Sequence, residues 1–327
     1  MLRSIVSLCL VLATTAAAPA QGRGLDGSWM ISISEKHPEQ LSLDLRTSRS
    51  DHEGSQFDRS DFAGLTRAEI ESPTQVPVRF ELRREAGSIA FEGTFRQGNG
   101  AGEFEFTANE DFPNALHALG VTFDPKNGER ERELLNLTLF DVSTEFIKSM
   151  QKIGYDVSLE KFVEFRIFDV NPGYVREMAS LGFDRLSADK LVETRIHGAT
   201  PDYIRSMRAA GENLTLDKYI ESRIFQVTPE FSQEMSQAGY PGLDRDRLVE
   251  FRIHGVTSEF IEQIRKLGYS HVPAEQLVAM RIHGVTPEFI KSVEAAGYHR
   301  VPIDKLVQMR IFDIDPRMVR ALDDAKD

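Results

Sequence analysis

The chain has 327 residues, 41% of them apolar, a formal net charge of -12 and one cysteine. That acidity argues against nucleic acid or an anionic membrane surface as partner, since both call for a basic face that releases counterions. A lone Cys9 excludes an internal disulfide framework, so burial has to hold the fold, and a chain of this length can bury enough.

The chain begins with Arg3 ahead of an apolar run from Ile5 to Ala17 and then Ala18-Pro19-Ala20, which is the charge, core and small-residue order of a secretory signal peptide. We expect residues 1–20 to be removed after Ala20, with an uncleaved anchor as the alternative. The run falls short of the about 20 apolar residues that a membrane span needs, so no span is expected after cleavage. The expected location is the periplasm or the exterior.

From 21 to 110 the apolar side chains alternate with polar ones, the pattern of half-buried strands. The alternation falls in five segments: Trp29, Ile31 and Ile33; Leu41, Leu43 and Leu45; Val78, Phe80 and Leu82; Ile89, Phe91 and Phe95; Phe104 and Phe106. Short links at Glu85-Ala86-Gly87 and Gln97 to Gly102 make the last three consecutive hairpin partners in an antiparallel sheet. The stretch Ser48 to Thr74 reads as a polar loop with a short helix around Leu65 to Ile70. Its acids Asp51, Glu53, Asp58 and Asp61 lack the ligand order and central glycine of a calcium loop and read as solvated.

Beyond 110 the sequence repeats itself. Arg195-Ile196-His197-Gly198 recurs at Arg252 and Arg281, with Arg-Ile-Phe versions at Arg166, Arg223 and Arg310, at intervals of 29, 28, 29, 29 and 29 residues. Each unit opens on a capping residue (Ser143, Asn171, Thr200, Thr228, Thr257, Thr286, Asp315), usually followed by proline, and so starts a helix, here called A. Apolar residues such as Phe260, Ile261 and Ile264 form its inner face, and Gly154, Gly182, Gly211, Gly239, Gly268 or Gly297 stops it. A second helix, B, carries Leu-Val pairs such as Leu248-Val249 and ends at the Arg-Ile-His-Gly segment. Helices this short bury their faces only by stacking, so the fold class is α+β: a small antiparallel sheet domain (21–110), then an all-α solenoid (111–327) whose first part (111–140) is an atypical capping repeat.

The arginine ladder (Arg166, Arg195, Arg223, Arg252, Arg281, Arg310) lies at the margin of helix B's apolar stripe, and we read it as structural: stem buried, guanidinium aimed at helix-end carbonyls or at a glutamate such as Glu259 on helix A. His197, His254 and His283 share their position with Phe168, Phe225 and Phe312, which indicates partly buried packing rather than metal. Met150, Met178, Met207 and Met235 are core fillers. Helix A's outward position holds Lys148, Arg176, Arg205, Gln233, Glu262, Lys291 and Arg320. The fold requires no charge there, so Lys148, Arg176, Arg205, Lys291 and Arg320 are the candidate partner-binding residues. Hydrolase signatures, a phosphate-binding glycine loop and a cysteine nucleophile are missing, and we expect neither catalysis nor a cofactor.

The segment Arg281 to Ile290, with Gly297-Tyr298 and Leu306-Val307, resembles short helical repeats of exported bacterial proteins, also found in the extracytoplasmic tails of some membrane metallopeptidases of the beta-lactam-sensor type. The resemblance covers about residues 111–327. It implies a bacterial envelope location and a sensing or scaffolding role, while the chain lacks the zinc motif and membrane helices through which protease activity would transfer. Two functional readings follow. In the first, the solenoid surface of a non-enzymatic exported protein binds a protein or peptide. In the second, the sheet domain holds a small ligand and the repeats are a spacer.

Overall fold

The structure is a computed structural model that describes residues 25–34, 37–47 and 51–315. The signal peptide expected over 1–20 and the candidate Arg320 lie outside the described residues. Two compact units divide the chain, residues 1–167 and 168–327.

The first unit opens with an antiparallel sheet of β1 (Leu25–Ile33), β2 (Gln40–Thr47), β3 (Asp51–Asp58), β4 (Phe62–Ala63), β5 (Val76–Arg84), β6 (Gly87–Arg96) and β7 (Asn99–Ala108), in the order β3-β2-β1-β7-β6-β5-β4. The three expected hairpin partners are β5, β6 and β7. Between β6 and β7 the turn is tight, with Gln97 and Gly98 both at positive φ (50° and 81°), as a two-residue hairpin requires. The polar stretch read as loop instead contains two edge strands. β3 pairs with β2 in register Leu41↔Phe57, and β4 pairs with β5. An edge strand can satisfy its backbone on a neighbour without an alternating apolar face, so the hydropathy pattern did not reveal it. The expected helix is present as α1 (Arg67–Ile70), closed by a reciprocal capping box in which the Glu69 carboxylate accepts from the Thr66 amide at 2.9 Å.

β3 and β4 sit at opposite edges of the sheet but are joined only by the 3-10 turn Arg59–Asp61, and Phe57 and Phe62 meet at 5.5 Å. The sheet therefore curls round its apolar face until its edges approach, close to a barrel. Trp29 fills the centre. It is 1% exposed, edge-on to Phe80 at 5.3 Å and to Phe91 at 6.0 Å, while Phe80 and Phe91 stack at 4.7 Å. Its indole Nε1 donates to the Glu92 carbonyl at 3.2 Å. Glycines make the room: Gly93 faces Gly102 across β6 and β7, and a Cβ on Gly93 would lie 2.7 Å from the Trp29 ring. Four helices complete this unit: α2 (Phe112–Ala118), α3 (Arg130–Leu139), α4 (Thr144–Lys152) and α5 (Leu159–Ile167), with α3 packed on β6 and β7.

The second unit alternates A helices, namely α6 (Pro172–Ser180), α8 (Pro201–Ala209), α10 (Pro229–Gln237), α12 (Ser258–Lys266) and α14 (Pro287–Ala295), with B helices, namely α7 (Ala188–Ile196), α9 (Leu216–Ile224), α11 (Arg245–His254), α13 (Ala274–Ile282) and α15 (Ile303–Ile311). A packs beside A (α6 on α8, α12 on α14) and B beside B (α9, α11, α13 and α15 in succession), giving two layers around one core that runs from Val227 to Leu306. The capping residues act as expected: the side chains of Asn171, Thr200, Thr228, Thr257 and Thr286 each accept from the amide three residues on. Pro273 and Pro302 stand at two B-helix starts without a side-chain cap, and the first acids there are Glu275 and Asp304.

Both helices of a repeat end with a left-handed residue followed by a buried or half-buried apolar one whose amide reaches back five residues. Tyr269 donates to Ile264 at 3.2 Å after Gly268, and Val256 donates to Phe251 at 2.8 Å after Gly255. The tyrosine after helix A then ties neighbouring repeats: the Tyr240 hydroxyl donates to the Val272 carbonyl at 2.7 Å and the Tyr269 hydroxyl to the Val301 carbonyl at 2.8 Å.

These features give two expected outcomes. Thr257→Ala removes a cap and should cost about 1 kcal/mol in a urea melt. Burial raises the Tyr240 and Tyr269 hydroxyl pKa values above the usual tyrosine range, so the folded chain holds these protons longer than the unfolded chain does. Their stabilisation is full below about pH 10 and lost as pH rises through the raised folded values. Melting curves should therefore fall more steeply above about pH 10 in the native chain than in the Tyr240→Phe, Tyr269→Phe double variant.

Candidate functional site

The repeated Arg-Ile segment closes every B helix, and its arginine makes the same contact each time. The guanidinium lies over the ring of the A helix that precedes it: Arg166 over Phe146 at 5.2 Å, Arg195 over Tyr174 at 3.9 Å, Arg223 over Tyr203 at 4.9 Å, Arg252 over Phe231 at 3.7 Å, Arg281 over Phe260 at 5.1 Å and Arg310 over Phe289 at 5.2 Å. Several also reach the end of the previous B helix. Arg166 Nε donates to the Phe140 carbonyl at 2.8 Å, an Arg195 NH2 group to the Asp169 carbonyl at 2.6 Å, and Arg281 Nε to the His254 carbonyl at 3.1 Å. The structural reading of the ladder and its carbonyl targets hold. The expected glutamate partner on helix A is replaced by an aromatic face, which attracts a cation without adding an acid to the core.

One or two residues beyond the last helical residue sits the left-handed position. It holds Asp141 (φ 51°), Asp169 (51°), Gly198 (70°), Gln226 (55°), Gly255 (68°) and Gly284 (69°). Where it is aspartate, the carboxylate neutralises the arginine: Arg166–Asp141 is 2.8 Å and Arg195–Asp169 is 2.9 Å. Where it is glycine, the guanidinium occupies the space itself, and a Cβ on Gly255 would come within 2.9 Å of Arg281. Among the described residues Arg223, Arg252, Arg281 and Arg310 make no ion pair.

The residue after each arginine was not singled out in the sequence reading. Ile167, Ile196, Ile224, Ile253, Ile282 and Ile311 are all 46–53% exposed. In the second unit the B helices pack side by side, so Ile196, Ile224, Ile253, Ile282 and Ile311 line one edge, with one isoleucine per repeat. Next to them, His197 and His283 are exposed, and Phe312 is 71% exposed. These three are more open than the partly buried packing expected, whereas His254, Phe168 and Phe225 at the same position are partly buried as expected. Further up the same face, Lys190–Glu193, Lys218–Glu221 and Arg247–Glu250 close on themselves as i,i+3 pairs.

The outward position of helix A is less uniform. Lys148, Arg176 and Lys291 are exposed. Arg205 is engaged within the chain, with Asp202 at 2.7 Å and Glu177 at 3.2 Å, and Glu262 pairs with Arg265 at 2.6 Å. The expected basic stripe is therefore interrupted in the middle of the second unit.

In the sheet, the inward rings occupy the interior. The large depression, about 1180 Å³, lies instead on the outer face among Asp26, Arg79, Glu81, Glu92, Glu103 and Glu105. It is open and charged, unlike the greasy chamber that the carrier reading calls for. Among the described residues no helix is long and apolar enough to cross a membrane. Comparison with known protein families, with characterised proteins and with solved structures finds no match.

Arg252 tests the structural reading. Its Nε is buried without a hydrogen-bond partner and its guanidinium is 3.7 Å from the Phe231 ring centre. Arg252→Ala should cost about 1–2 kcal/mol in a denaturant melt, and Arg252→Lys should recover only part of it, since ammonium lacks the planar stacking face.

Proposed function

We propose that the protein is an exported, non-enzymatic binding scaffold that engages another protein through the edge formed by its B helices. The observation that carries this is the isoleucine row. A β-branched apolar side chain recurs half-exposed at one position of every repeat, where packing requires nothing of it and helix propensity mildly disfavours it. Arginine and aromatic or histidine neighbours give that edge the composition of interface centres rather than of ordinary solvated surface. Export rests on the order of charge, apolar core and small residues at the N-terminus, and an envelope location on the resemblance of the repeats to those of exported bacterial proteins. In the second unit the exposed helix A cations Arg176 and Lys291 form a second candidate surface.

Affinity capture from bacterial envelope extract separates the two surfaces. Replacing Ile224, Ile253 and Ile282 together by aspartate should leave the melting temperature within about 2 °C, because all three are exposed, and should abolish capture of partners held by the native chain. The pair Arg176→Glu and Lys291→Glu should leave capture intact. The opposite pattern would move the binding surface to helix A, and capture unaffected by either set would remove the scaffold reading.

A further inference from the structure

Given the scaffold reading, on which this rests, we infer that the partner presents an extended acidic segment, with carboxylates recurring along it and aliphatic residues between them, laid across the B-helix ends of the second unit. Charge decides this. On a chain of net charge -12, Arg223, Arg252, Arg281 and Arg310 form a row of four cations with no ion pair among the described residues. Two residues away, the acids that could have neutralised Arg223 and Arg252 are already held, Glu221 by Lys218 and Glu250 by Arg247. In the next two repeats those positions are Ala279 and Gln308. An isoleucine about half exposed stands directly after each of the four arginines.

The left-handed position shows that this charge is not forced by the fold. Asp169 places a carboxylate 2.9 Å from Arg195 without disturbing the ring contact, yet Gly198, Gln226, Gly255 and Gly284 leave the next four arginines open. A ring under each of these guanidiniums, and for Arg281 also the His254 carbonyl at 3.1 Å, restricts it before an incoming carboxylate arrives, which lowers the ordering cost of pairing.

Spacing sets the form of the segment. Packed helices lie about 8–10 Å apart, and three residues of polyproline-type chain rise about 9 Å. One acid in every third residue therefore keeps step with the arginines.

The probe is a fluorescein-labelled peptide of four Glu-Pro-Val triplets, titrated into the full chain and followed by anisotropy, beside a peptide with lysine in place of each glutamate. The acidic peptide should bind and the basic one should not. The decisive variant is Gly255→Asp with Gly284→Asp. It installs the carboxylate that Asp141 and Asp169 carry at φ 51°, so it keeps the fold while neutralising Arg281 and Arg310. Its circular dichroism should match the native chain and its melting temperature should fall only by the modest cost of two non-glycine residues at positive φ, with each guanidinium shifting to admit the new side chain, while peptide affinity should fall about tenfold or more. Equal binding of both peptides, or full binding by this variant, would overturn the acidic-partner inference. Capture from extract with the same variant keeps the two claims apart. If the isoleucine set abolishes capture and the glycine set does not, the docking edge stands and the acidic chemistry falls. Sedimentation of the native chain covers the remaining occupant: self-association that the glycine variant abolishes would make the partner a second copy and overturn a heterologous acidic segment.

Discussion

The repeats depend on one contact, an arginine that ends each B helix and lies over the ring of the A helix before it. A helix of nine or ten residues leaves its last carbonyls unsatisfied and its negative dipole end uncovered, and in isolation it would be marginal. Here three of those carbonyl ends, at Phe140, Asp169 and His254, accept from the arginine of the B helix that follows. The ring does the rest, offering an electron-rich face where a carboxylate would carry a desolvation cost. On the A-helix side, Arg208 donates to the Leu181 carbonyl at 2.9 Å and Arg265 to the Ala238 carbonyl at 2.6 Å, a parallel use of the next repeat to close the previous one. Nearest-neighbour coupling of this kind is what makes short two-helix units stable only as an array.

That contact also orients the edge proposed for docking. For the arginine to lie on the ring, the last turn of helix B must present its side at the margin of the core. Leu248, Val249 and Phe251 then point in, and Ile253, the next residue after Arg252, points out. The brace thus produces a row of outward positions as a by-product, one per repeat. The identity of the residue there is free as far as packing is concerned, and it is isoleucine in each of the six B helices that end in the Arg-Ile segment.

Much of the helical part was legible because its signals are local. Thr257, Gly268 and the Phe260-Ile261-Ile264 face each act within a turn of themselves, so a single sequence displays them. The sheet was legible only where one face is buried: Trp29, Leu43 and Phe91 alternate, but β3 holds its place through backbone pairing with β2 and shows no such pattern. The candidate site was the least legible. Isoleucine counts as interior in any hydropathy reading, so nothing in the sequence singles out Ile253 and Ile282, and only solvent exposure in the folded chain distinguishes them from Ile261. The ion pair of Arg205 was not legible either, because its partner Glu177 lies one repeat away and no local rule connects the two.

The left-handed position after each B helix separates stability from surface charge. The backbone there needs a positive φ, which glycine adopts freely and aspartate or glutamine adopts at modest cost, and all three occur with the helix end intact. The ring contact is present with either residue at this position, over Tyr174 after Asp169 and over Phe260 after Gly255, although in the glycine repeats the guanidinium fills the space a Cβ would take. Exchanging glycine for aspartate changes whether the arginine carries a net charge to the surface. The first two arginines are closed by Asp141 and Asp169, and the next four are left open. A solenoid built this way can vary the charge along its edge, repeat by repeat, while the packing that sets the spacing of that edge stays fixed.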